Sequence, residues 1–194
     1  MVIGLVVAAM LVGFLVTTFG YYTPFMILAP ILTTIGAGLI STFDVSSGHP
    51  VWIGYQALLG MGVGTGIQQH MLVYQTVLEP IDVPTATAIG MFLQTLGGAI
   101  FVSVAQNVFS NQLRSGLASL APNVDSGKVI AAGATMLREA VDKADLPGVL
   151  QAYSDAITQT FYISVATAAI AFFVALPVQW ISVKGRRMEG GGHA

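Results

Sequence analysis

The hydrophobic pattern of the chain is dominated by four long stretches that contain no charged residue. They run from 1 to 43, 45 to 78, 83 to 113 and 156 to 183, which is 43, 34, 31 and 28 residues. A bilayer crossing takes about 20 predominantly apolar residues, so the first stretch holds two crossings and each of the others holds one. The pattern therefore predicts an all-α integral membrane protein with five transmembrane helices.

Turn residues between the apolar runs set the approximate bounds of these spans. We predict spans at Val2 to about Phe14 or a little beyond, Phe25 to about Ser41, Trp52 to Leu78, Thr85 to Phe109 and Ile157 to Ile181. Pro24 suits the first turn of the second helix, and Pro177 predicts a kink near the end of the fifth. Because Met1 leads directly into an apolar run with no basic segment before it, a secretory signal peptide is not indicated.

The chain divides into four parts on this basis. Residues 1–109 hold four transmembrane helices, and 110–155 form a polar loop with an amphipathic helix at about Gly127–Val141. Residues 156–183 hold the final span, and 184–194 form the tail. Pro147 suits the start of a helix that runs into the final span.

Basic residues next to the membrane ends predict the orientation. Lys184, Arg186 and Arg187 directly follow the fifth span, which places the tail in the cytoplasm. Counting back, the turns at 15–24 and 79–84 are cytoplasmic. Met1, the turn at 42–51 and the loop at 110–155 then lie outside.

Composition excludes several classes of protein. Of the 194 residues, 55% are hydrophobic and 8% are charged, whereas soluble domains are about 25% charged. A water-soluble globule, a nucleic-acid binder and a disordered chain all need more charge. The absence of cysteine excludes disulfides and thiolate metal sites.

Glycine recurs at every second position in the third span. Gly60 with Gly64, and Gly62 with Gly66, form two small-x-x-x-small pairs on roughly opposite faces. We expect a neighbouring helix to approach closely on each face. By contrast, Gly4 is expected near a lipid-facing end, where a larger side chain is tolerated.

Glutamines in the third and fourth spans are candidates for a substrate path. Gln56, Gly60, Gly64 and Gln68 form one stripe at spacing four, and Gln69 follows. Amides in hydrocarbon need a partner or a water-filled cavity, so these glutamines either line a path or hydrogen-bond neighbouring helices. His70 lies near the cytoplasmic end and is interpreted as a solvated interfacial residue.

The fourth span repeats the pattern with Gly90, Gln94 and Gly98 at spacing four. One amide among small residues favours tight helix packing, although Gln94 remains a path candidate.

Catalytic chemistry is not indicated. No acidic or basic residue lies within a predicted membrane core, and His49, His70 and His193 are far apart in the sequence. No metal-ligand spacing, phosphate-binding loop or serine with a neighbouring base is present. We therefore expect no enzyme activity, no cofactor and no metal.

The segment Gly13-Phe14-Leu15-Val16-Thr17-Thr18-Phe19-Gly20-Tyr21-Tyr22 resembles the Gly-x-Leu-x-Asp-Arg-x-Gly-Arg-Arg loop of the major facilitator superfamily. Thr17 and Thr18 replace the acid and the base of that motif. The resemblance thus implies a tight-turn role for Gly13 and Gly20 but not a charge relay.

The run from Gly20 to Gln112, followed by a long loop before a last span, resembles the fungal fourteen-span drug:proton antiporters. The resemblance implies the last five of fourteen spans, a partial carboxy-terminal half of a major facilitator fold. It implies as partners the lipid bilayer, a small hydrophobic substrate and the missing amino-terminal half of the same transporter, with no nucleic acid. It also implies the plasma membrane as location.

Two further interpretations remain open. The chain could be a stand-alone five-span protein with a structural or regulatory role and no transport of its own. A membrane enzyme is the third interpretation, and it rests only on His49 near Asp44 and on the acids of the long loop.

Overall fold

The computed structural model describes residues 1–43, 49–178 and 180–181. Seven α-helices account for most of this part of the chain. They are α1 (Val2–Phe19), α2 (Thr23–Ile40), α3 (His49–Gly66), α4 (Gln69–Val77), α5 (Val83–Leu120), α6 (Ser126–Ala140) and α7 (Leu146–Ala175). The predicted all-helical architecture is confirmed. The basic cluster after Lys184, on which the predicted orientation rests, lies outside the described residues.

In the described part of the chain, four helices are long and apolar enough to cross a membrane by length and composition: α1, α2, α5 and α7. The predicted third span is not one continuous helix, because α3 ends at Gly66 and α4 begins at Gln69. Alternating glycines weaken a helix through their backbone entropy, and the polar Gln68 and Gln69 follow at once. The range predicted as a third span, Trp52 to Leu78, therefore consists of two helices.

The turn between α1 and α2 is shorter than predicted. Helix α1 continues to Phe19, and the hydroxyls of Thr17 and Thr18 each donate to the carbonyl oxygen of Phe14 at 2.8 Å. Gly20 ends the helix in the left-handed region at φ 83° and donates its N–H to Val16 O at 2.8 Å, a conformation that favours glycine. Gly13 lies inside the helix with no heavy atom within 4 Å of an added Cβ, so its predicted turn role is wrong.

Helix α3 lies between α1 and α2, and its glycines meet both neighbours. A Cβ on Gly60 would collide with the carbonyl oxygen of Met1, just before α1, and a Cβ on Gly64 would collide with the carbonyl oxygen of Leu5 in α1. On the opposite face, a Cβ on Gly62 would lie 2.5 Å from Thr33 N in α2, and one on Gly66 would lie 3.1 Å from Ala29 Cβ.

Gly4 is part of the same contact between α1 and α3. A Cβ on Gly4 would lie 2.6 Å from the carbonyl oxygen of Ala57. The expectation that Gly4 faces lipid is wrong, since α1 presents a backbone surface to α3 along its first two turns. Sequence spacing on α3 did not reveal which residue of α1 would oppose it.

Two apolar clusters mark the two ends of the helix bundle. At one end, Val12, Val16 and Tyr22 pack with residues of α4 and with the segment after α7, namely Leu72, Val73, Val178 and Ile181. At the other end, Ala37, Ile40 and Leu59 pack with Tyr55 and Phe161. Successive helices therefore run between the same two ends.

Helices α5 and α7 extend well beyond their predicted spans. Helix α5 has 38 residues and continues to Leu120, and α7 begins at Leu146, with Pro147 in its first turn. The C-terminal part of α5, together with α6 and the first turns of α7, forms an apolar core built on Leu113, Leu117, Val129 and Val149. We call residues 109–156 the helical cap.

Close approach of α5 and α7 holds the cap together. A Cβ on Gly116 would lie 3.0 Å from Ala152 Cβ, and one on Gly148 would collide with the carbonyl oxygen of Leu120. Helix α6 covers most of the range predicted as amphipathic, but Gly133 interrupts it at φ 63° and ψ 177°. The predicted kink at Pro177 is wrong, because Pro177 lies beyond the end of α7 at Ala175. Proline lacks the N–H that would continue the helix.

Candidate ligand site at a helix break

The break between α3 and α4 is bridged by a side chain. The Gln69 amide nitrogen Nε2 donates to the carbonyl oxygen of Thr65 at 3.1 Å. In a continuous helix the backbone N–H of residue 69 would make this bond. The side chain thus replaces the missing backbone donor and fixes the orientation of its own amide group.

A cavity of about 370 Å³ lies beside the break. Its walls come from α2, α3, α4 and α7, with Val178 just after α7. They include Met26, Thr33, Gly62, Gln69, His70 and Ala171. We call this cavity the break crevice. Its volume falls within the range of about 300 to 1,000 Å³ typical of small-molecule pockets, which are also mainly apolar with a few polar groups.

Two polar atoms at the break crevice have no hydrogen-bond partner among the residues that the structure describes. These are Gln69 Oε1 and His70 Nε2, and both are closed off from solvent. Gln69 is only 4% exposed, so its free oxygen carries the cost of an unsatisfied buried acceptor. His70, which is interpreted from the sequence as a solvated interfacial residue, is half-buried instead: its Nε2 is shielded from solvent, and its ring lies edge-on to Tyr74 at 5.9 Å between centroids.

A second cavity of about 270 Å³ lies on the other side of α4, against α5. It is lined by Ile67, His70, Tyr74, Gly90, Leu93 and Gln94. A Cβ on Gly90 would lie 2.6 Å from the Tyr74 hydroxyl oxygen, so the glycine makes room for the phenol. His70 borders both cavities.

A third cavity of about 300 Å³ between α2 and α7 has an apolar surface. It is lined by Ile31, Thr34, Ile35, Ala169, Phe172 and Phe173. Its volume is close to that of the break crevice, but it offers no amide or imidazole group.

The structure separates the glutamines proposed for a substrate path. Gln69 lines the break crevice and Gln94 lines the cavity at α5. Gln68 is exposed within the break, and Gln56 is half-buried on α3. Gln56 and Gln68 lie on the same stripe of the sequence, with Gly60 and Gly64 between them. This stripe does not line an open path, because the start of α1 fills the space beside the two glycines.

Helix α5 leaves much of its small-residue face uncovered. No heavy atom lies within 4 Å of a Cβ added to Gly97 or Gly98. Of the predicted packing glycines in this helix, only Gly90 meets a neighbour in the described part of the chain.

Tyr74 and the alanines of α7 were not identified from the sequence as lining residues. Ala168, Ala171 and Ala175 border the break crevice, and their spacing of three and four along one helix face is the signal that could have identified them. Tyr74 follows His70 by four residues, which places both on one face of α4. Among the described residues, no cluster of three or more His, Asp or Glu side chains could hold a metal ion.

Comparison with known proteins shows strong similarity to fungal membrane transporters. The chain is 54% identical over 188 residues to the MFS-type transporter astH of Aspergillus oryzae, covering 97% of this chain and 33% of that protein. It is 51% identical to the MFS-type transporter olcL of Penicillium canescens, covering 96% of this chain and 32% of that protein. It is 48% identical to the efflux pump roqT of Penicillium rubens, covering 96% of this chain and 34% of that protein.

The chain spans about a third of the length of these curated relatives. No family model matches it, and no solved structure matches it.

Proposed function

Because the chain belongs to the major facilitator superfamily, among fungal MFS-type transporters and efflux pumps, we propose that it is the carboxy-terminal part of an efflux transporter. Its substrates are small hydrophobic molecules such as drugs, toxins or secondary metabolites. The observation that carries this proposal is the 48 to 54% identity over nearly the whole chain to proteins of this kind. The plasma membrane is the proposed location.

The proposed part crosses the membrane five times, with α3 and α4 together forming the third crossing. The packing of the two ends supports this count. Tyr55 and Leu59 of α3 lie in the cluster at one end, whereas Leu72 and Val73 of α4 lie in the cluster at the other. Broken helices beside a cavity are a recurrent feature of transporter binding sites.

The proposed substrate path includes Gln56, Gln68, Gln69 and Gln94. Its uncharged lining suits hydrophobic compounds, because shape and a few hydrogen bonds constrain the ligand loosely. Gln69 has the strongest support, since its oxygen is buried and unpartnered at the wall of the break crevice.

Proton coupling is proposed to depend on residues outside this chain. A coupling group must bind and release a proton at depth in the membrane. The long apolar windows contain no acidic, lysine or arginine residue, and His70 beside the break crevice is the titratable candidate that they do contain near a span. Alternating access requires two halves that rock around a central site. We therefore propose that the partner is the remaining two thirds of the transporter.

The test is complementation in yeast cells that lack their own drug efflux pumps. This chain is expressed alone, or with the two thirds of the A. oryzae relative that it does not cover, and export of rhodamine 6G is followed by fluorescence. The full-length relative serves as the positive control. We expect export from the pair, sensitive to a protonophore, and none from the chain alone.

Two results would contradict the proposal. One is a pair that reaches the membrane but does not export dye while the full-length relative does. The other is export by the chain alone, which would mean that the missing part is not needed.

A further inference from the structure

We propose that the break crevice binds a small, mainly apolar molecule with one hydrogen-bond donor, such as a phenol, and that Gln69 accepts that donor. The proposal rests on the proposed function in that the ligand belongs to the class of hydrophobic compounds that the transporter exports. Binding itself takes place within this chain and requires no transport.

The walls of the crevice select an apolar body. Apart from Thr33, Gln69 and His70, the lining consists of glycine and apolar side chains from α2, α3, α7 and Val178 just after α7. Filling such a cavity removes apolar ligand surface from water or lipid headgroups and gains dispersion contacts with the walls.

The polar group of the ligand is specified by Gln69. Its Nε2 is already committed to Thr65 O, which leaves Oε1 as the free atom. An amide oxygen can only accept a hydrogen bond, so the complementary ligand group is a donor. His70 Nε2 is the second unpartnered atom, and in the tautomer protonated at Nδ1 it also accepts.

The chain contains its own comparison site. The cavity lined by Ala169 and Phe172 is of similar volume and also lies between α2 and α7, but its surface is apolar. It should take the same hydrocarbon body without preferring a donor.

The experiment measures binding to the purified chain in lipid nanodiscs. The probes are 2-naphthol and 2-methoxynaphthalene, which share a ring system but differ in one O–H donor. Saturable binding is measured by equilibrium dialysis against empty nanodiscs. A diazirine derivative of 2-naphthol is photolysed, and the labelled peptides are identified by mass spectrometry. We expect labelling on the α2 and α7 walls of the break crevice and about threefold to tenfold tighter binding of the naphthol.

Three variants locate the donor preference. Gln69→Leu should bring the two probes to equal affinity, and Ala171→Phe should remove saturable binding by filling the crevice. Ala169→Phe, which fills the apolar cavity instead, is the matched control and should preserve the preference for 2-naphthol. Ala171→Phe also keeps the test decisive if Gln69→Leu fails to fold.

The proposal is overturned if the two probes bind equally to the wild-type chain, or if Ala169→Phe removes the preference for 2-naphthol while Ala171→Phe does not.

Nanodiscs that contain ergosterol test whether the hydroxyl group bound in the crevice comes from a membrane lipid or from an exported compound. Displacement of 2-naphthol by ergosterol at membrane levels would overturn the assignment to an exported substrate. If 2-naphthol does not bind but the chain co-expressed with the rest of the relative exports dye, only the crevice proposal is refuted. If 2-naphthol binds but the pair exports no dye, only the proposed function is refuted.

Discussion

Backbone contacts at glycine distinguish residues that look alike in the sequence. Gly64 lies against the carbonyl oxygen of Leu5, whereas Gly13 has open space around it although both lie within apolar helices. An added side chain at Gly64 therefore has to move a helix backbone, and one at Gly13 only displaces lipid.

The first prediction compares Gly64→Leu with Gly13→Leu. Overpacking a close contact costs on the order of 1 to 3 kcal/mol, so Gly64→Leu should lower the thermal unfolding temperature in detergent while Gly13→Leu leaves it nearly unchanged. Size-exclusion chromatography after a temperature series provides the measurement. Equal stability of the two variants would contradict the close packing of α1 on α3.

The spacing of the glycines on α3 correctly indicated two small faces on one helix, because spacing on a helix is a local property. The opposing residues are set by how far α1 slides along α3, which no local pattern encodes. For that reason the sequence predicts a lipid-facing Gly4, whereas Gly4 contacts Ala57 in the structure. The sequence does not show that His70 Nε2 is shielded from solvent for a similar reason, since the other walls of the two cavities beside His70 come largely from helices distant in sequence.

At the scale of helices, apolar periodicity located the spans but not their ends. The sequence predicts the end of a span where the apolar run stops, yet α5 continues for eleven residues beyond Phe109. Those residues stay helical because Leu113 and Leu117 are buried against α7 rather than in lipid. The cap therefore depends on pairing between segments that are distant in sequence, which single-helix patterns do not show.

The second prediction concerns this pairing. In Gly148→Val the new side chain would collide with the carbonyl oxygen of Leu120, so α7 should separate from α5 at the cap. Gly97→Val is the control, because Gly97 lies in α5 and an added side chain there meets open space. Hydrogen exchange in nanodiscs should rise over α6 and the end of α5 in the first variant and remain at the wild-type rate in the second. Unchanged exchange in Gly148→Val would show that the cap does not depend on this contact.

At the scale of the whole molecule, the alternation of helix ends leads to the third prediction. The turn before α5 and the cap should lie on opposite sides of the membrane, with the cap outside. Single cysteines at Ile81 and Lys128 suit a chain that has none of its own. In intact cells an impermeant maleimide should label Lys128→Cys, whereas Ile81→Cys should react only after permeabilisation. The reverse pattern would invert the proposed topology.

The fourth prediction concerns the uncovered face of α5. Its most hydrophobic window has no buried residue in the described structure, and its glycines at 97 and 98 meet nothing. If the rest of the transporter packs there, a photo-crosslinking amino acid at Gly98 should join the chain to the co-expressed two thirds of the A. oryzae relative. The same amino acid at Phe173, which is 68% exposed on α7, serves as the lipid-facing control. Crosslinking at Phe173 but not at Gly98 would contradict this arrangement.

The length of α5 has a mechanical consequence. At 1.5 Å per residue its 38 residues span about 57 Å, nearly twice the roughly 30 Å of the hydrocarbon core. A rigid rod of that length acts as a lever, so a tilt of about 10° at one end moves the other by about 10 Å. The packing of Leu113 and Leu117 on α7 couples this lever to a second helix. In the proposed transport cycle, a tilt of α5 within the bilayer would carry the cap through a larger arc, which a fluorophore on Leu120 would record.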